Sequence, residues 1–171
     1  TLYPEFLKSL GIIPGIKVDK GAHALSGSEN EKVTDGLDGL GERLKEYYDL
    51  GARFAKWRAV ITIGDQAPSN TCISVNAHAL ARYAALCQEH GLVPIVEPEI
   101  LMDGEHTIED SFVVTEEVLH TTFYELYSQG VELEGMILKP NMVLSGYGCS
   151  EQADVDDVAE MTVTVLKRCV P

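Results

Sequence analysis

Phe54-Ala55-Lys56-Trp57-Arg58-Ala59-Val60-Ile61 sets apolar residues against charges at every second place around Lys56 and Arg58. That is the pattern of a strand with two different faces. Three more runs share it: Gly15-Ile16-Lys17-Val18-Asp19-Lys20-Gly21, Pro94-Ile95-Val96-Glu97-Pro98-Glu99-Ile100 and Gly135-Met136-Ile137-Leu138-Lys139-Pro140-Asn141-Met142. Lys17, Lys56, Glu97 and Lys139 recur at intervals of about 40 residues, which is room for one strand, one helix and two loops. Helical patterns fill the gaps over 34–50, 70–90, 110–129 and 151–169, with Thr34 as the cap of the first. The first three end at Gly51, Gly91 and Gly130, where a left-handed residue closes the helix.

Regular alternation of strand and helix predicts parallel βα units in an α/β fold. An open doubly wound sheet, covered on both faces, needs strands that are apolar throughout. Here one side is apolar (Ile16, Val18, Ala55, Trp57, Val96, Met136, Leu138) and the other carries Lys17, Asp19, Lys56, Arg58, Glu97, Glu99, Lys139 and Asn141. Polar groups turned to a common side fit the interior of a (β/α)8 TIM barrel near its C-terminal mouth. A whole barrel takes eight units and about 250 residues; this chain supplies four, as a partial barrel in one domain over 1–171. The stretches 22–32 and 101–110 read as long βα loops overhanging the mouth. Trp57 points away from the charges, under the helix layer.

The chain has 171 residues, 45% hydrophobic and 23% charged, with a formal net charge of −14. That balance argues against nucleic-acid and anionic-membrane partners. No apolar run approaches the roughly 20 residues of a membrane span, and Thr1-Leu2-Tyr3-Pro4-Glu5 lacks the marks of a signal peptide. Cys72, Cys87, Cys149 and Cys169 are widely spaced and read as reduced thiols of a cytoplasmic protein.

Within this acidic chain the inward set gathers four cations, Lys17, Lys56, Arg58 and Lys139, beside Asp19, Glu97 and Glu99. Stability alone does not account for such a set, because burying ions costs several kcal/mol each unless they pair or meet a charged ligand. An anionic, phosphorylated substrate accounts for it. A lysine among other cations in a dry pocket loses its proton readily and attacks carbonyls to form a Schiff base; three lysines are candidates. Glu97 and Glu99 point the same way, so mutual repulsion is expected to raise the pKa of one of them, as a general acid or base requires.

The other features point to no chemistry. His23, His78, His90, His106 and His120 lack metal-ligand spacing, and Asp103-Gly104-Glu105-His106 reads as a solvated loop. Asp154, Asp156 and Asp157 sit where carboxylates complement a helix N-terminus.

At these residues the sequence resembles class I fructose-bisphosphate aldolase. Val131-Glu132-Leu133-Glu134-Gly135-Met136-Ile137-Leu138-Lys139-Pro140-Asn141 is similar to that family's active-site signature. Residues 15–21, 54–58, 93–101, Gly36-Leu37-Asp38-Gly39-Leu40 and Leu80-Ala81-Arg82-Tyr83-Ala84 agree as well. The resemblance implies a glycolytic carbon–carbon lyase that cleaves fructose 1,6-bisphosphate reversibly to dihydroxyacetone phosphate and glyceraldehyde 3-phosphate. By the same resemblance Lys139 forms the imine, Glu97 moves protons in carbinolamine chemistry, and Glu99 supports it and interacts with the lysine. Lys56 stabilises developing charge and binds substrate. Asp19 and Lys17 line the site, and Arg58 helps hold a phosphate.

Neither a metal nor a cofactor is implied, and the full-length protein is expected to be a homotetramer. The resemblance places this chain at barrel strands three to six. An Asp on the first strand, a Gly-rich phosphate loop after the seventh, an Arg after the eighth and a C-terminal tail ending in Tyr have no counterparts in it. The isolated chain is therefore expected to turn over little or no substrate. Another Schiff-base barrel lyase, transaldolase-like or deoxyribose-phosphate-aldolase-like, and a non-catalytic half-barrel scaffold are the alternatives.

Overall fold

A computed structural model of the chain describes residues 3–171; Thr1 and Leu2, which open the stretch weighed as a signal peptide, lie outside the described residues. The chain runs through α1 (Tyr3–Ser9), β1 (Gly15–Lys17), β2 (Ala22–Ala24), β3 (Lys32–Thr34), α2 (Leu40–Asp49) and β4 (Phe54–Ile61). It continues through α3 (Asn70–Glu89), β5 (Val93–Ile100), α4 (Ile108–Ser128), a 3-10 turn at Leu133–Gly135, β6 (Ile137–Leu138) and α5 (Val155–Cys169). Four strands form one parallel sheet in the order β1-β4-β5-β6, and β2 and β3 make a separate antiparallel hairpin. Among the described residues the sheet does not close into a barrel.

Alternation along β4 determines which side is covered. Ala55, Trp57, Ala59 and Ile61 are at most 1% exposed, whereas Phe54, Lys56, Arg58 and Val60 are half-buried. α3 packs on β4 and β5, and α4 packs on α3 and β5. Trp57 stacks on Tyr83 of α3 with ring centroids 5.5 Å apart, and the Tyr83 hydroxyl donates to the Ile95 carbonyl at 3.2 Å. Burying these two rings removes a large apolar area from water. This packing forces the charges of β4 onto the uncovered face, as the alternation predicted.

Helix ends follow local chemistry. The Ser69 hydroxyl accepts from the Cys72 amide, Thr107 and Asp110 form a capping box, and the Asp154 carboxylate accepts from the amides of Asp156 and Asp157. Gly51, Gly91 and Gly130 close their helices at φ 114°, 74° and 70°.

Several boundaries differ from the sequence-based expectation. The strand expected over 15–21 ladders only through Lys17, because the chain then turns away at Gly21 into the β2–β3 hairpin. That hairpin occupies most of what reads as a loop over 22–32. Thr34 caps no helix: it is buried in β3, its hydroxyl donates to the Arg58 carbonyl at 2.8 Å, and α2 starts six residues later after the left-handed Gly39. α5 starts at Val155, not 151, where the Asp154 carboxylate supplies the cap. β6 is only two residues long, because the next β5 residue turned toward it, Pro98, has no amide to donate to the Lys139 carbonyl. The short helix α1 lies in a stretch for which the sequence pattern predicted no element.

Candidate active site

The parallel register builds the site. Lys17 stands beside Lys56, and Arg58 beside Glu97. The Lys139 amide donates to the Val96 carbonyl at 2.9 Å, which sets Lys139 next to Glu97 across the β5–β6 seam. Three strands therefore deliver three side chains to one point. Lys139 Nζ donates to Glu97 Oε1 at 2.5 Å, and Lys56 Nζ lies 2.8 Å from Glu97 Oε2. Glu97 is thus held between two ammonium groups, one on each carboxylate oxygen.

Burial makes this arrangement costly to break. The Glu97 side chain is 3% exposed, against 31% for Lys56 and 56% for Lys139. Burial pushes the Glu97 pKa up, but the hydrogen bonds and charges of Lys139 and Lys56 outweigh it, and the net displacement is below the ordinary carboxylate value. For Glu97 the displacement is opposite to the one expected from repulsion by Glu99. Glu99 is engaged elsewhere: its carboxylate accepts from Arg58 Nε across the β4–β5 seam. Neighbours across the sheet, not along the strand, fix the local field. Nor does Lys139 sit in a dry pocket as expected, since β6 flanks the sheet and its amine faces open space.

Lys17 and Asp19 form their own pair. Asp19 Oδ1 accepts from Lys17 Nζ and, at 3.0 Å, from the Gly21 amide; Oδ2 is buried with no hydrogen-bond partner among the described residues. The structure thus places all seven sequence-nominated side chains on one side of the sheet as three linked groups: Lys56–Glu97–Lys139, Arg58–Glu99 and Lys17–Asp19.

The supporting contacts of Asn141, already read on the polar side, and of Asn76 were not visible in the sequence. Asn141 Oδ1 accepts from the Ile100 amide at 3.3 Å, so a side chain continues the ladder beyond Pro98. Asn76, buried in α3, accepts from the Thr34 amide at 3.2 Å and donates to the Lys32 carbonyl at 2.9 Å, which fastens the hairpin behind Arg58. A polar residue within an otherwise apolar helix face is the one signal that marks Asn76. His106, expected in a solvated loop, is buried, because the 101–107 loop lies against residues 146–148: the amides of Gly146 and Gly148 donate to the carbonyls of His106 and Gly104, each at 2.8 Å.

Chemically, the central trio pairs a nucleophile with an acid–base group. A carboxylate touching a lysine amine receives its proton and frees the lone pair for attack. The second lysine weakens that carboxylate as a base and strengthens its conjugate acid, which suits returning the proton to a departing hydroxyl.

Known proteins resemble this chain along its whole length. The family model described as "Glycolytic: Fructose-bisphosphate aldolase class-I" matches residues 1–171. A protein of Xanthomonas campestris pv. campestris named "Probable fructose-bisphosphate aldolase class 1" is 64% identical over 169 residues, covering 99% of this chain and 51% of its own length. "Fructose-bisphosphate aldolase 6, cytosolic" of Arabidopsis thaliana is 56% identical over 173 residues, 100% of this chain and 48% of the relative. A solved Plasmodium falciparum fructose-bisphosphate aldolase, crystallised with TRAP and a small-molecule inhibitor, superposes with a TM-score of 0.95 at 53% identity, covering 98% of this chain and 49% of that one. The chain spans about half the length of the curated relatives it matches.

Proposed function

The chain belongs to the class-I fructose-bisphosphate aldolase family, and from that premise we propose that the full-length protein carrying it cleaves fructose 1,6-bisphosphate through an imine on Lys139. The observation that carries this reading is Glu97 held between Lys139 and Lys56. In the proposed cycle Glu97 takes the Lys139 proton and the neutral amine adds to the ketose carbonyl at C2. Protonated Glu97 then returns a proton to the carbinolamine hydroxyl, which leaves as water. The protonated imine draws in the electron pair of the C3–C4 bond as that bond breaks and Glu97, ionised again, takes the C4 hydroxyl proton. Glyceraldehyde 3-phosphate departs. Glu97 returns that proton to C3 of the enamine left behind, and water hydrolyses the resulting imine to release dihydroxyacetone phosphate.

Lys56 lies beside Glu97, where it stabilises oxyanion character that develops near the imine. Arg58 and Lys17 offer cations to the phosphates, Asp19 sets Lys17, and Glu99 orients Arg58. A cytoplasmic location and a homotetramer belong to the same reading; no described helix is long and apolar enough to cross a membrane. The isolated 171-residue chain turns over little substrate in this account, because Lys139 and Lys17 stand on the flanking strands of an open sheet.

The test is cleavage of fructose 1,6-bisphosphate by the full-length protein in the presence of a metal chelator, followed by borohydride treatment with dihydroxyacetone phosphate. Chelator-insensitive cleavage that borohydride abolishes only when the triose phosphate is present supports the reading. Preference for another ketose donor points to a sibling lyase. Absence of both turnover and trapping rejects the assignment and leaves a scaffold.

A further inference from the structure

Arg43 projects from α2 behind the sheet and forms no ion pair with a carboxylate among the described residues. Instead its guanidinium donates through Nη1 to the Val18 carbonyl at 3.0 Å and through Nη2 to the Gly36 carbonyl at 2.5 Å. A cation spent on two neutral carbonyls makes charge-assisted bonds to backbone and fixes it in place.

These two carbonyls bracket Asp19. Val18 immediately precedes it and is 1% exposed. Gly36, at φ 132°, presses on it from the other side: a Cβ there would come 2.9 Å from the Lys20 amide nitrogen and 3.2 Å from Asp19 Cα. The Lys20 amide also donates to the Asp35 carbonyl at 2.8 Å. The segment needs this grip, since β1 pairs with β4 over three residues only.

We propose that Arg43 is a positioning residue for the site: by forking between Val18 and Gly36 it holds the Lys17–Asp19 pair at the right distance from Lys56 and the bound triose phosphate. The proposal rests on the aldolase reading and adds a residue that touches no substrate. Lysine at position 43 reaches one carbonyl but has no planar fork to span both.

The experiment uses the full-length protein and follows borohydride labelling of Lys139 against dihydroxyacetone phosphate concentration. Wild type is compared with Arg43→Lys and Arg43→Ala, the latter with and without added guanidinium chloride at concentrations too low to unfold it, and circular dichroism melts run alongside. Arg43→Ala is expected to raise the half-labelling concentration about tenfold with the saturating yield retained, as a loosened substrate-orienting arm would. Arg43→Lys falls between, and guanidinium restores part of the loss. Half-labelling concentrations equal to wild type in either variant overturn the proposal, as does a shift in Arg43→Ala that guanidinium leaves unchanged. If Arg43→Ala does not fold, Arg43→Lys decides by the same criterion. Failure of wild type itself to label rejects the aldolase reading and the proposal with it, a result separable from normal wild-type labelling with unaltered variants.

Discussion

The two central strands and the two flanking strands of the sheet hold their charged residues by different means. β4 and β5 pair along all eight residues of each, over a floor of Trp57, Tyr83 and Val96 that solvent does not reach. Lys56, Arg58, Glu97 and Glu99 inherit their positions from that ladder. β1 pairs over three residues and β6 over two. Lys17, Asp19 and Lys139 are held by props from behind: Arg43 and Gly36 on one flank, and on the other Asn141 and Gln88, whose amide exchanges two hydrogen bonds with the Glu132 backbone at 2.8 and 2.9 Å. Proton-transfer geometry thus belongs to the rigid centre. The nucleophile and the Lys17–Asp19 pair belong to elements that a few side chains keep in register.

Breaking the centre has the largest effect. Trp57→Ala opens a cavity under β4 and is expected to lower unfolding free energy by about 3–5 kcal/mol in urea titration. A loss below about 1 kcal/mol would place the anchor elsewhere.

Glu97→Gln comes next and removes the charge that both lysines share. Imine labelling of Lys139 in the full-length protein is expected to slow by about 10²-fold or more, the usual scale of general acid–base catalysis. The same variant tests the electrostatics. Because the Glu97 pKa lies below its ordinary value of 4.5, its ion pairing stabilises the fold fully above that pH. The contribution is lost as pH falls through the lowered folded value. Unfolding free energies of wild type and Glu97→Gln should therefore converge below pH 4.5; a gap that persists at lower pH contradicts the pairing.

A prop on a flank yields a smaller effect. Asn141→Ala leaves the Ile100 amide without its acceptor and is expected to cost about 1–3 kcal/mol by the same titration. Smallest is a probe that leaves the sheet intact. Burial pushes the Cys72 thiol up to about 11, with Glu31 adding to it, and burial pushes Cys87 up to about 12. Iodoacetamide at pH 8 should modify Cys149, which is partly exposed, well before either. Early labelling of Cys87 would show that α3 does not seal the centre.

This contrast also explains what was legible in the sequence. Alternation over 54–61 and 93–100 revealed β4 and β5, because both faces of a paired strand impose a two-residue period. Beyond Lys17 the same pattern misled, since Asp19 stays inward while the chain leaves the sheet. The β2–β3 hairpin escaped notice because strands of three residues are too short to show a period. The interval of about 40 residues exposed Lys56, Glu97 and Lys139. Their mutual pairing depends on cross-strand register, which no single strand encodes. Hence Glu99 was read as the neighbour that perturbs Glu97, although Lys56 and Lys139 are the groups that do. Arg43 left no local mark: one of two cations on an amphipathic helix, it looks like a solvated one.

The most direct measurement is peptide mapping of the full-length protein after borohydride trapping with dihydroxyacetone phosphate. The account predicts one labelled lysine, Lys139, with Lys56 and Lys17 unmodified. A label on Lys56 or Lys17, or spread evenly among the three, would contradict it.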